Sequence, residues 1–269
     1  MMNSKYSAFF GLAAAAVVLG AAPAHAASCG HTGAGFETWK QEFAQEASAQ
    51  GVGQAGLAAL QTTHYNAATI SADRGQKSFH LSLEQFMSKR GASAIIARGR
   101  SLKQSQAGLF SQIKARYGVP AGPLLAIWGM ETGFGAVHGN QHALSAVATL
   151  AYDCRRSDYF TDQLYAALQL IDRGALSPSA RGSMHGEIGQ TQFLPKNILQ
   201  YGTGGSLDNA GPALMATANF LHAHGWQAGA GYQPGETNFA AIQAWNAATV
   251  YERAIAIIGQ KIDGGAGDE

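Results

Sequence analysis

Apolar residues recur at intervals of three and four along most of this chain, which is the spacing of one face of an α-helix. Between residues 36 and 117 the pattern is divided into a series of short helices. Four later segments keep the same spacing, at 142–152, 159–172, 212–226 and 239–258. No stretch has the strict alternation of a half-exposed β-strand. We therefore predict an all-α, mainly helical fold.

The segment WGMETGFG, residues 128–135, places a carboxylate at the end of an apolar helix. The residues that share a helical face with Glu131 are Leu124, Ile127 and Trp128. A carboxyl held against such side chains is desolvated, so its pKa rises and it can act as a proton donor near neutral pH. Two glycines in the segment end the helix. A glutamate near a helix end is more often solvated, and the pattern alone leaves both interpretations open.

The first 26 residues have the features of a secretory signal peptide. Lys5 precedes an apolar run from Ala8 to Ala22, and Ala24 and Ala26 are the small residues of a cleavage site. The run is short for a membrane-spanning helix. We expect a mature chain that begins near Ala27 and is exported to the periplasm or cell envelope, where it is soluble.

The chain has two cysteines, Cys29 and Cys154. An export compartment permits a disulfide between them, which would tie the mature N-terminus to the domain. Cys29 closely follows the apolar run and could instead carry a lipid, although the large aliphatic residue usual three positions earlier is missing. We favour the disulfide, and lipidation stays as the alternative.

Charge and length narrow the function classes. Removal of the signal peptide takes away Lys5 and no acid, so 18 basic residues become 17 against 17 acidic residues and the formal net charge is zero. Such a chain has no electrostatic preference for nucleic acid or an anionic membrane. Residues 27–262 are of a size for one domain with a substantial core. Residues 263–269, which include GGAGDE, are predicted to be a flexible tail.

Three segments resemble, in order, motifs of the B-type lytic murein transglycosylases. They are WGMETGFG at 128–135, GEIGQTQFLP at 186–195 and AWNAATVYERAI at 244–255. The similarity also covers parts of the chain at 73–79, 117–120, 143–156 and 224–226. The resemblance implies a lysozyme-like domain with a central substrate groove. It further implies cleavage of the bond between N-acetylmuramic acid and N-acetylglucosamine in peptidoglycan, with formation of 1,6-anhydro-muramyl ends instead of addition of water.

The resemblance also assigns roles to single residues. Glu131 matches the family's sole catalytic acid/base. Ser183 and Gln192 match positions that hydrogen-bond the substrate, and Asn246 and Tyr251 match a late Asn and Tyr that lie near the acid. Each of these four also has a purely structural interpretation, as a turn cap, a backbone partner or a buried aromatic residue.

Two departures from the family pattern affect the chemistry. Glu187 stands where the family often has a small residue, so a second carboxylate could lie near the cleft and activate water; we favour a solvated or ion-paired role for it.

Some relatives carry a calcium loop, but residues 201–214 have one acid, Asp208, which is too few ligands. His222 and His224 lack nearby acids or cysteines. We expect no metal and no cofactor.

The expected partners are peptidoglycan glycan strands and other cell-envelope proteins, without nucleic acid, and we expect a monomer. Two alternatives share the groove. A hydrolytic muramidase would use Glu131 together with water, and a non-catalytic peptidoglycan-binding protein would have no turnover. The presence of Glu131 argues against the second alternative.

Overall fold

The computed structural model describes residues 27–75 and 81–264. The predicted signal peptide and residues 265–269 of the predicted tail lie outside this part of the chain. Residues 76–80, which include the end of the segment 73–79 that resembles the family, also lie outside it. The described residues form thirteen α-helices: α1 (Phe36–Ala49), α2 (Gln54–Gln61), α3 (Ala67–Arg74), α4 (Leu83–Lys89), α5 (Ala92–Ser105), α6 (Ala107–Tyr117), α7 (Ala121–Thr132), α8 (Ala143–Tyr152), α9 (Ser157–Asp172), α10 (Pro195–Tyr201), α11 (Ala210–Ala223), α12 (Phe239–Trp245) and α13 (Thr249–Asp263).

A short 3₁₀ helix, Gly33–Gly35, precedes α1, and a small antiparallel sheet pairs β1 (Gln141–His142) with β2 (Arg181–Gly182). The prediction of a mainly helical fold is confirmed. The apolar pattern of residues 239–258 divides into α12 and α13, because Asn246 leaves the helical conformation with φ −153° and its side chain accepts a hydrogen bond from the Ala248 N–H at 3.0 Å. That side chain therefore separates the two helices.

The helices enclose two hydrophobic cores. The central core contains buried residues of α4, α5, α6, α7, α11, α12 and α13. The N-terminal core contains residues of α1, α2, α3, α8 and α9. Both cores contain aromatic rings; in the N-terminal core, the ring centroids of Phe36, Trp39 and Tyr152 lie 5.4 to 5.6 Å apart. The candidate chemistry lies at the edge of the central core.

Helix α7 is buried on all sides. Eleven of its twelve residues are buried, and Glu131 is the exception. The face predicted from the spacing of Leu124, Ile127 and Trp128 is thus one side of a helix with no polar face. Close packing requires small residues: a Cβ on Gly129 would lie 2.5 Å from Ile95 of α5, and one on Gly122 would lie 2.3 Å from a backbone oxygen of α13. The glycines let neighbouring helices surround α7.

The start of the described chain is attached to the turn between α8 and α9. Cys29 and Cys154 form a disulfide bond. Beside it, the Gly30 N–H donates to the Tyr152 carbonyl at 2.9 Å, and the Cys154 N–H donates to the Gly30 carbonyl at 3.2 Å. Among the described residues, no helix is both long enough and apolar enough to cross a membrane.

Candidate active site

Glu131 lies in the last turn of α7, which ends where Gly133 adopts a left-handed conformation with φ +59°. Tyr251, in the first turn of α13, is 3% exposed and donates its hydroxyl proton to Glu131 Oε1 at 2.5 Å. The two residues are 120 positions apart in sequence. Packing of α13 on α7 therefore brings the acid and its hydrogen-bond donor together.

Burial raises the pKa of Glu131 to about 7, because the ionised carboxylate loses solvation. The negative charge of Glu187 raises this pKa further, while the Tyr251 hydroxyl, the Arg90 guanidinium and the Trp245 side chain lower it. The carboxyl can therefore hold a proton near neutral pH and can also release it. Burial and the neighbouring Glu131 raise the pKa of Tyr251 well above its usual value, so its phenol stays a proton donor in hydrogen bonds.

Arg90, directly after α4, is a cation that the sequence did not point to. Its Nη1 donates to the Met130 carbonyl at 3.1 Å, and its guanidinium carbon lies 5.7 Å from the centre of the Tyr251 ring. The same guanidinium lies 5.3 Å from the Phe86 ring. Arg90 thus contacts both helices that supply the acid and its donor, although nothing in its local sequence indicates this.

A loop after β2 is fastened to α7 by Gln190. The Trp128 indole N–H donates to Gln190 Oε1 at 2.7 Å, and the Thr132 hydroxyl donates to the Gln190 carbonyl at 2.7 Å. Gln190 Nε2 in turn donates to the Asp208 carbonyl at 2.7 Å. Trp128 and Thr132 flank Glu131, so this buried amide fixes the loop beside the acid. The sequence analysis missed Gln190, although it lies within the GEIGQTQFLP motif.

Ser183 and Glu187 form a closed turn at the start of this loop. The Ser183 hydroxyl donates to Glu187 Oε2 at 2.8 Å and accepts from the backbone N–H groups of His185 and Glu187 at 3.1 and 3.2 Å. The Ser183 N–H donates to the Glu187 carbonyl at 2.9 Å. The single hydroxyl proton of Ser183 is therefore directed at a carboxylate of the chain itself.

Gln192 and Asn246 make local hydrogen bonds. Gln192 has φ +56°, and its Nε2 donates to the Gly189 carbonyl at 2.8 Å. With His138 and Arg181 it lines a cavity of about 470 Å³. The Asn246 amide oxygen accepts the hydrogen bond from the Ala248 N–H just before α13, as described above. Neither residue hydrogen-bonds to Glu131 within the described part of the chain, so the structure joins Tyr251 directly to the acid but not these two.

Residues 35–235 match the sequence profile of the transglycosylase SLT domain family. The chain belongs to this family. The predicted resemblance to the B-type lytic murein transglycosylases is confirmed by this match and by the relatives that follow. The chain is similar to SltB3 from Pseudomonas aeruginosa, at 26% identity and a TM-score of 0.78 over 86% of this chain and 80% of that one. That structure is a complex with NAG-anhNAM-pentapeptide.

Two further comparisons agree with this family assignment. Membrane-bound lytic murein transglycosylase B from Escherichia coli K12 is 35% identical over 121 residues, which cover 42% of this chain and 34% of that protein. The chain thus spans about a third of the length of this curated relative. SltB1 from Pseudomonas aeruginosa has 20% identity and a TM-score of 0.76 over 85% of this chain and 99% of that one, which shows a shared fold.

The acidic, histidine and cysteine side chains of this domain are dispersed. Within residues 27–75 and 81–264, no three His, Cys, Asp or Glu side chains are grouped so that they could hold a metal ion. His224 Nδ1 lies 2.7 Å from the Phe220 carbonyl oxygen, and its ring stacks on that of Phe220. The His222 ring lies 6.1 Å from the Tyr117 ring. Both histidines therefore lie against aromatic rings of the fold.

Proposed function

We propose that this protein is a lytic transglycosylase of peptidoglycan, with Glu131 as its single acid/base. The observation that carries the proposal is a carboxyl at the end of a buried helix, with a pKa near 7 and a tyrosine hydroxyl donor at 2.5 Å. The family match, the relative named as a lytic murein transglycosylase and the complex of SltB3 with NAG-anhNAM-pentapeptide support the substrate class.

In the first step, protonated Glu131 donates its proton to the oxygen that links N-acetylmuramic acid to N-acetylglucosamine. The bond from C1 to that oxygen breaks, and the muramyl ring gains oxocarbenium character that the substrate's own N-acetyl carbonyl stabilises. N-acetylglucosamine leaves with the proton on its hydroxyl. A raised pKa suits this step, because an acid that is already ionised has no proton to give.

In the second step, ionised Glu131 takes the proton from the 6-hydroxyl of the muramyl residue as that oxygen bonds to C1. The product is a 1,6-anhydro end, and the carboxyl returns to its starting state. No water is consumed. One carboxyl that passes through both protonation states suffices, in contrast to the two carboxylates of most glycosidases.

We further infer the organisation of the whole chain. Residues 1–26 act as a signal peptide, and residues 27–262 form one catalytic domain that is monomeric and acts in the periplasm or cell envelope. Cys29 is used in the disulfide rather than as a lipid attachment site. Ser183, Gln192 and Asn246 border the substrate groove.

The test is mass spectrometry of soluble fragments that the purified protein releases from peptidoglycan, compared with Glu131→Gln. Anhydro-muramyl ends from the unsubstituted protein alone support the proposal. Reducing ends would show a hydrolase, for which Glu187 offers a second carboxylate to activate water. No release by either protein would instead indicate a peptidoglycan-binding function.

A further inference from the structure

Glu187 is a second carboxylate of the site, and the structure holds it in place. Three hydrogen bonds join it to Ser183, one through its Oε2 and two through its backbone, at 2.8, 3.2 and 2.9 Å. A carboxylate that rotates freely would spread its charge over many positions. The turn with Ser183 prevents this, so the charge of Glu187 acts from a fixed position.

The loop that carries Glu187 cannot easily move away from α7. Gln190, three residues later, is bonded to the side chains of Trp128 and Thr132 on either side of Glu131. On the other side, Gly186 is so tightly enclosed that a Cβ there would lie 2.4 Å from Val147 Cγ2. The charge of Glu187 reaches both Glu131 and Tyr251. Its position relative to the acid is therefore built into the fold.

We propose that Glu187 is a positioning residue for the reaction, whose fixed negative charge keeps the proton on Glu131 until the glycosidic oxygen takes it. This inference rests on the proposed function of Glu131 as the acid/base. It also assigns Ser183 a different task from the one that the resemblance implies. The Ser183 hydroxyl orients Glu187, because its one proton is used in that bond.

The same repulsion acts in the second step. Once Glu131 has lost its proton, the negative charge of Glu187 acts on a second anion, and this repulsion favours re-protonation of Glu131. Glu131 thereby becomes a stronger base toward the 6-hydroxyl of the substrate. The proton moves from that hydroxyl to Glu131.

Other charged groups modulate the pair. Arg90 and Tyr251 interact with Glu131, and Tyr159 and His185 interact with Glu187. The charged groups that act on Tyr159 or His185 are Asp73, Arg155, Arg156 and Lys196. Burial lowers the pKa of His185, whereas the charge of Glu187 raises it. Asp73 is paired with Arg155 and Arg156. Of the described side chains that act on Glu131, Glu187 is the anion, and Arg90 is the cation that opposes it.

The decisive experiment is a ¹³C NMR titration of the glutamate side-chain carboxyls in the unsubstituted protein and in Glu187→Gln. The amide keeps the size of the side chain and an oxygen that can accept the Ser183 proton. The Glu131 signal is assigned by its loss in Glu131→Gln. We expect its titration midpoint to move to lower pH in Glu187→Gln. The matched control is Glu42→Gln, which removes the same charge from an exposed position on α1 and should leave the midpoint unchanged.

A midpoint that stays in place, or that rises, in Glu187→Gln overturns the proposal. Glu187→Ala gives a second measurement of the same charge removal if the amide variant is unstable. The titration needs no turnover, so it decides the question even if no anhydro ends are found. If the protein cleaves peptidoglycan, the alkaline limb of its pH profile of kcat/KM should move to lower pH in Glu187→Gln. A lower rate with an unmoved limb would assign Glu187 a merely structural role.

Discussion

Helices α7 and α8 both run through buried surroundings, and both have a carboxylate near their C-terminal end. All ten residues of α8 are buried, and Asp153 follows it directly. On α7, the carboxylate is Glu131, which lies in the last turn of the helix. The negative end of a helix dipole disfavours an anion in either place. The two carboxylates differ in their partners.

Asp153 is compensated by a cation. Nη2 of Arg74 lies 3.1 and 3.2 Å from its two oxygens. Glu131 instead accepts a hydrogen bond from a neutral phenol, and the charge of Glu187 acts on it. A buried carboxylate in direct contact with a guanidinium stabilises the fold. A carboxyl that is hydrogen-bonded to a neutral phenol, and on which a second anion and the Arg90 cation act in opposite directions, is suited to proton transfer.

The largest effect is expected from Glu131→Gln, which removes the acid and keeps its shape. Loss of a general acid/base lowers a rate by at least about 10²-fold. Release of fragments from peptidoglycan should fall at least that far, while the thermal unfolding midpoint measured at pH 8 should not fall. A variant that retains most of its activity would exclude Glu131 as the acid.

The second effect concerns the phenol. Tyr251→Phe removes a hydrogen bond to a charged group, which corresponds to a decrease of about 10- to 100-fold in kcat/KM. The Tyr251 hydroxyl lowers the pKa of Glu131, so its removal raises that pKa and the alkaline limb of the pH profile should move to higher pH. This direction is opposite to that expected for Glu187→Gln. Limbs that move in the same direction in both variants would contradict the electrostatic account.

Asp153→Asn should separate stability from chemistry. It leaves the Arg74 guanidinium without its anionic partner, and we expect a loss of about 1–2 kcal/mol in the free energy of unfolding, less than for a fully buried pair because Arg74 is half exposed. Denaturant unfolding measures this loss. Activity per folded molecule should stay unchanged, and a selective loss of turnover would show that the comparison with Glu131 is wrong.

The smallest effect is expected at the surface. Asp162 of α9 pairs with Lys196 of α10 at 2.7 Å, and both side chains are well exposed. Solvent screens such a pair. Asp162→Asn should therefore alter neither the unfolding midpoint nor the pH profile of activity. A clear shift in either measurement would mean that exposed charges also act on the site.

The parts of this site that were predictable are those with a local signal. The apolar spacing before Glu131 and the glycines after it predict a buried helix that ends in an acid. Tyr251 was identified through the resemblance. Gln190 and Arg90 have no such signal, because their roles depend on contacts with residues 62 and 40 positions away in the sequence.

The pairing of Ser183 with Glu187 is local in sequence, but no sequence pattern predicts it. The two residues are four positions apart, but the chain between them forms a turn rather than a helix, so a helical spacing rule would not predict their pairing. The direction of the Ser183 proton depends on that turn. The family resemblance implies a substrate contact for Ser183, whereas its pairing with Glu187 is visible only in the three-dimensional structure.

The disulfide between Cys29 and Cys154 divides the residues of the site into two groups, one inside the covalently closed part of the chain and one after it. It closes a covalent ring across 125 positions, and this ring contains Glu131. Glu187 and Tyr251 lie outside the ring, in the open chain that follows it. Glu131 and Arg90 thus belong to the cross-linked part of the molecule, whereas Glu187 and Tyr251 reach the acid when the later loop and the last helix pack onto that ring. Detachment of the last helix would therefore remove the Tyr251 hydroxyl from Glu131, while the ring closed by the disulfide stays intact.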